Sequence, residues 1–245
     1  MKLTNTNDIK QLNIKALIYG KSGAGKTSSA KTLPVDRTFI ISAESGLLPL
    51  KDMGFKVAEL ESWADMNEVY TYLTTDGYKE KYDYIFIDSL TEINEICKDN
   101  IVKKERPEKR GNVGKVYDDI LDMNDWGLLY AKMSRVIRAF RDLPYNIVFT
   151  CLEYSNKNER TGAIEYLPAL NGQLRDNIGQ YFDEVFHIRS DEKSGGGDNK
   201  TSPRFFLTDK TDEYLAKDRS GMLDKIEVAD LSKVINKIKS TGGKK

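Results

Sequence analysis

Gly20, Gly25, Lys26 and Thr27 stand at the spacing G-x-x-x-x-G-K-T, within the run Gly20-Lys21-Ser22-Gly23-Ala24-Gly25-Lys26-Thr27. Glycines at these places let the backbone curl until successive N–H groups point inward, a nest for phosphate oxygens. The expected cradle is Gly20, Ser22, Gly23, Ala24, Gly25, Lys26, Thr27 and Ser28. Lys26 is placed to reach the β- and γ-phosphates and Thr27 to hold Mg²⁺ through its hydroxyl. The ligand implied is a nucleoside triphosphate, taken as ATP.

The flanking sequence supplies what such a loop requires. Ile14 to Tyr19 is an apolar run of strand length, and Thr27 to Leu33 reads as a helix whose positive end faces the phosphates. Tyr84-Ile85-Phe86-Ile87-Asp88 is a continuous apolar strand ending in an acid. Such a strand suits the covered centre of a parallel sheet, and its terminal Asp88 suits the Mg²⁺ shell. Hydrolysis also needs a group that orients or deprotonates water. Glu44, just past the strand Arg37 to Ser42, is the first candidate. Glu153, just past the strand Asn146 to Cys151, is the rival, with γ-phosphate sensing as its alternative role.

Strands alternate with helices as far as residue 151, which predicts an α/β fold with a mostly parallel central sheet flanked by helices. Ser62 is expected to cap a helix from Trp63 to about Leu73, Ser89 opens another, and Asp125 caps a third that runs to about Phe140 with Leu128 on its apolar face. Residues 153–170 read as a polar loop, and 172–180 as a helix. Strands over 182–189 and 204–208 are expected to pair antiparallel, followed by an amphipathic helix over 230–239. Residues 1–13 form a loose lead-in, 14–240 one domain and 241–245 a tail.

The 245 residues carry no net charge, so any polyanion must be met by local patches. Residues 103–115 are such a patch, with six basic and two acidic side chains. Two distant cysteines and one histidine give no metal-binding spacing. A reduced, cytoplasmic protein is the natural expectation. The first 13 residues lack the apolar core of a signal peptide, and no apolar run is long enough to span a bilayer, so no membrane partner is expected.

Taken together, these motifs resemble the RecA-like ATPases. More closely, the chain resembles the small phage AAA-domain nucleotide-binding proteins that act as single-strand annealing recombinases, over roughly residues 14–225. Phe39-Ile40-Ile41-Ser42-Ala43-Glu44 has the form of the RecA strand that ends in a catalytic glutamate, and Asp88-Ser89 that of its acid segment. Asn171-Gly172-Gln173-Leu174 resembles the stretch after the second DNA-binding loop. Lys217-Asp218-Arg219-Ser220-Gly221 resembles the K-x-R-x-G element, which implies that Lys217 and Arg219 complete a neighbour's site in a homo-oligomer, ring or filament. Where RecA carries a glutamine sensor, this chain has Cys151-Leu152-Glu153.

The resemblance implies two DNA-facing segments. Lys103, Lys104, Arg106, Lys109, Arg110 and Lys115 belong to the first, and Lys157 and Arg160 to the second, together with Tyr154 and Tyr166. Such surfaces bind single strands with little sequence preference. The function implied is ATP-driven annealing or strand exchange, with a single-strand-binding protein as a further partner. An AAA+ helicase loader or remodelling ATPase is the alternative; its helical lid is not what residues 182–215 predict.

Overall fold

The computed structural model describes residues 13–44, 46–75, 81–105, 121–157, 162–190 and 203–240, the side chains of 104 and 105 excepted. The strands are β1 (Lys15–Gly20), β2 (Thr38–Ser42), β3 (Lys56–Glu59), β4 (Tyr84–Asp88), β5 (Asn146–Lys157), β6 (Ile164–Pro168), β7 (Glu184–Ser190), β8 (Arg204–Leu207), β9 (Lys217–Asp218) and β10 (Ile226–Val228). The helices are α1 (Asp65–Thr74), α2 (Leu90–Asn100), α3 (Met123–Arg141), α4 (Gly172–Asn177) and α5 (Leu231–Lys239).

The strands line up in the order β10-β8-β7-β1-β5-β4-β2-β3. From β7 to β3 all neighbours run parallel. The expected mostly parallel sheet with an antiparallel extension is therefore present, with β8 antiparallel to β7 and β10 to β8. Side chains alternate along the central strands, and both faces are covered. Leu17, Tyr19, Ile85, Ile87, Ile147 and Phe149 pack with residues of α1, α2 and α3. Ala16, Ile18, Phe86 and Val148 pack with Ala30, Leu33 and the apolar face of α5. That is why β4 reads as an unbroken apolar run.

One consequence of the strand order governs the site. Strand β1, which leads into the phosphate-binding loop Gly20 to Thr27 (the P-loop), and the acid-bearing strand β4 are not adjacent, because β5 lies between them. All three run to the same edge, where open α/β sheets bind their ligands, and β5 continues past it to Lys157.

Several local expectations shift. The segment Thr27–Thr32 forms a tight 3₁₀ helix, and Leu231 of α5 donates its N–H to Thr32 Oγ1 at 2.9 Å, so the C-terminal helix is clamped to the P-loop helix. Helix α3 begins earlier than expected. Asp122 is its N-cap and Asp125 the reciprocal partner of a capping box, while Leu128 is exposed. Ser62 precedes α1 but does not cap it; Asp65 instead accepts from the N–H groups of Glu61 and Ser62. The polar stretch after residue 153 is a β-hairpin, in which Tyr154 pairs with Leu167 and Lys157 with Ile164.

At the opposite edge of the sheet, Glu184 is 1 % exposed and its Oε2 has no hydrogen-bond partner. Burial and the neighbouring Asp218 push its carboxyl up to about 8. A raised carboxyl pKa favours folding at low pH, and that contribution is lost as pH rises from the ordinary carboxyl range through about 8. Urea unfolding between pH 5.5 and 8.5 is therefore expected to show Glu184→Gln gaining on wild type by about 1.4 kcal/mol per pH unit, and the two levelling off together above about 8. Parallel profiles would show that Glu184 is ionised throughout.

Candidate nucleotide-binding site

Strand β1 delivers Gly20 to the top of the sheet. A Cβ there would stand 2.7 Å from the Ile188 carbonyl of β7, so only glycine lets the loop leave at this point. Gly25 takes φ +102°, a conformation that other residues adopt at a cost. Between them the loop curls around Lys26, which is 7 % exposed. Its Nζ donates to the Gly20 and Lys21 carbonyls, each at 3.0 Å. Burial lowers the Lys26 pKa, opposed by the charges of Glu44 and Asp88.

Asp88 is 2 % exposed at the end of β4. Its Oδ2 accepts from Thr27 Oγ1 at 2.6 Å, and its Oδ1 accepts from Thr150 Oγ1 of β5. The threonine and the acid predicted to share a metal are thus brought together across 61 residues of chain. Mg²⁺ favours hard oxygen ligands and is usually held by one or two protein groups plus phosphate oxygens. Thr27 and Asp88 fit that requirement and would hold it; the ion, when bound, neutralises charge on the phosphate oxygens. Among the described residues, no group of three or more His, Cys, Asp and Glu side chains forms a separate metal cage.

Glu44 joins the same edge. The N–H groups of Ala43 and Glu44 donate to the Asp88 carbonyl at 2.7 and 3.3 Å, and Ser89 Oγ donates to Glu44 Oε1. The Asp88–Ser89 peptide is cis. Glu92, on the first turn of α2, has its pKa raised by burial and then by the Glu44 charge. Glu153 has different surroundings. Its side chain is 5 % exposed, and Oε2 lies 2.7 Å from His187 Nε2. The His187 ring lies 4.2 Å from that of Tyr214, which stacks on Tyr166 of β6 at 4.8 Å. Burial lowers the His187 pKa despite the carboxylate beside it. This group faces the outer side of the P-loop across a cleft of about 360 Å³ bordered by Lys21 to Ala24.

Two contributors went unread in the sequence. Thr150 interrupts the apolar run Ile147 to Leu152 of β5, and only the position of β5 gives it to Asp88. Arg204 opens β8, and its guanidinium lies against the loop: a Cβ on Gly25 would stand 2.4 Å from Arg204 Nε. No described carboxylate pairs with Arg204.

The remaining candidates lie elsewhere. Lys217 and Asp218 pair with the start of β7, opposite Val185 and Glu184. Glu184 is level with Ala16 of β1, so about 13 Å of strand separates that row from the P-loop. Lys217 Nζ donates to the Gly179 and Phe182 carbonyls of its own chain at 3.1 and 2.7 Å. Arg219 bonds Asp183 at 3.2 Å and is 68 % exposed. Neither reaches its own P-loop. Lys103 pairs with Asp99 at 2.6 Å on the surface, and Lys157 is exposed at the end of β5. Arg106, Lys109, Arg110, Lys115 and Arg160, and the side chain of Lys104, lie outside the described residues.

Among the described residues no helix is long and apolar enough to cross a membrane. A comparison with curated proteins finds no match. The family model described as an AAA domain matches residues 12–220. With its phosphate loop, acid and threonine assembled at one sheet edge, the chain belongs to this family of nucleotide-binding P-loop ATPase domains.

Proposed function

We propose that this ATPase responds to single-stranded DNA and uses its cycle to promote annealing or strand exchange, as a homo-oligomeric recombination protein of the phage type. In this reading Glu44, held beside Asp88, orients and deprotonates the attacking water. Glu153 senses the γ-phosphate, and the His187–Tyr214–Tyr166 contacts carry its position to the β5–β6 hairpin.

The observation that supports DNA as the partner is on that hairpin. Tyr154 is 41 % exposed, and the Arg175 guanidinium of α4 lies over its ring at 4.6 Å. An aromatic face with a cation laid on it suits stacked bases and phosphates without reading their sequence.

The test is ATP hydrolysis with and without a long single-stranded DNA at two salt concentrations. Stimulation that fades with salt is expected, because phosphate contacts release counterions. Hydrolysis indifferent to DNA would overturn the reading and favour a protein-remodelling ATPase.

A further inference from the structure

A cavity of about 330 Å³ opens between α2, α3 and α4, and no P-loop residue lines it. Its wall includes Asn94, Trp126, Tyr130 and Asn171. Asn94 is 2 % exposed, yet its Oδ1 has no hydrogen-bond partner. Its Nδ2 makes one long bond, 3.5 Å to Glu95. Asn171 occupies the N-cap of α4, where asparagine usually bonds the helix N–H groups. Here its side chain makes no such bond, and its buried Nδ2 also lacks a partner. Buried polar groups are nearly always paired. One unpaired acceptor and one unpaired donor thus stand just behind the wall of the same small cavity, and a small turn of each amide would present them to a ligand that supplies both.

The rest of the wall describes its shape. Trp126 is 41 % exposed at the first turn of α3. Gly127 and Gly172 also line the cavity, and a Cβ added to either would meet nothing within 4 Å, so the mouth stays open beside the indole. The volume is at the lower end of small-ligand sites, which run from roughly 300 to 1,000 Å³. A flat heterocycle with a donor and an acceptor on one edge and a face for stacking matches these features. Arg175, four residues after Asn171, carries the cation laid on Tyr154.

We infer that this cavity receives one unstacked nucleobase of a bound single strand, stacked on Trp126 and hydrogen-bonded by the Asn94 and Asn171 amides. The inference rests on the single-strand reading above. Unpaired bases are held in this way when splayed from a strand, by aromatic stacking and bonds along the base edge. Amides can serve either bonding sense, so the pocket is expected to accept several bases.

Trp126 and Trp63 are the two tryptophans of the chain. Trp63→Phe protein therefore reports on Trp126 alone. An oligothymidylate is expected to quench its emission, and an abasic strand of equal length is not. Trp126→Ala, a surface change, is expected to weaken oligothymidylate binding about tenfold, within the roughly 5- to 150-fold range of one lost stacked base. Abasic-strand binding and basal ATP hydrolysis should stay at wild-type levels. Asn171→Ala should weaken oligothymidylate in the same selective way. Unchanged affinity in both variants, or equal weakening towards both strands, would overturn the base pocket while leaving single-strand binding intact. Wild-type protein that binds neither strand would overturn the single-strand reading itself.

Discussion

Lys26→Ala protein is expected to hydrolyse ATP about 10²–10³-fold more slowly than wild type, or not at all, and to keep its fold. Removing one preorganised donor from charge that builds in a transition state costs that much in kcat. The Lys26 ammonium is held at the centre of the loop by the Gly20 and Lys21 carbonyls. Its loss removes two hydrogen bonds of about 1 kcal/mol each. It also removes a buried charge whose pKa burial already lowers, which offsets that loss. Steady-state hydrolysis and a thermal melt on the same sample separate the two effects. Wild-type turnover would sink the P-loop assignment. A melting temperature lower by more than about 10 °C, several kcal/mol for a chain of this size, would make Lys26 a structural residue instead.

The same variant tests whether neighbouring chains share a site. Arg219 cannot reach its own P-loop but is largely exposed, so as a finger it would serve a neighbour. Arg219→Ala protein should then be inactive alone and recover activity when mixed with Lys26→Ala protein, since mixed neighbours restore complete sites. Lys217 is less suited to this role, because its ammonium already bonds two carbonyls of its own chain.

What the sequence could reveal depended on how far apart the cooperating residues lie. The P-loop is eight consecutive residues, and β4 is an apolar run with its acid at the end, so both are readable locally. That Thr27 should meet Asp88 followed from their known chemistry, not from spacing. Thr150 reaches Asp88 only because β5 intervenes between β1 and β4, a fact of strand order that periodicity cannot carry. The Glu153–His187 pair, the Arg204–Gly25 contact and the amide-lined cavity are likewise tertiary. The β5–β6 hairpin is hidden in the sequence for a different reason. Its Ser155, Asn156 and Lys157 are consecutive polar residues, so the apolar alternation that marks a half-buried strand is absent. Asp122 and Asp125 carry the same capping signal three residues apart, which moves the expected start of α3; the two act together in one capping box.

Glu44→Gln is the second large effect, and it separates the two candidate bases. Glutamine keeps the shape of the side chain and an oxygen to accept from Ser89 Oγ, while the backbone bonds to the Asp88 carbonyl are untouched. What it loses is the capacity to take a proton. General-base catalysis contributes roughly 10²–10⁴-fold, so kcat should fall by that factor while ATP affinity, set by the loop, stays near wild type. Glu153→Gln should behave differently. Its carboxylate is bonded to His187, and that pair leads through Tyr214 to the hairpin and not to the Asp88 edge. Basal hydrolysis should survive in this variant, and stimulation by single-stranded DNA should be lost. Single-turnover hydrolysis measured for both variants, with and without DNA, decides the matter. If Glu153→Gln abolishes the basal reaction and Glu44→Gln only slows its stimulation, the roles are exchanged. The bond from Ser89 would then position Glu44 as a structural tie between β2 and β4.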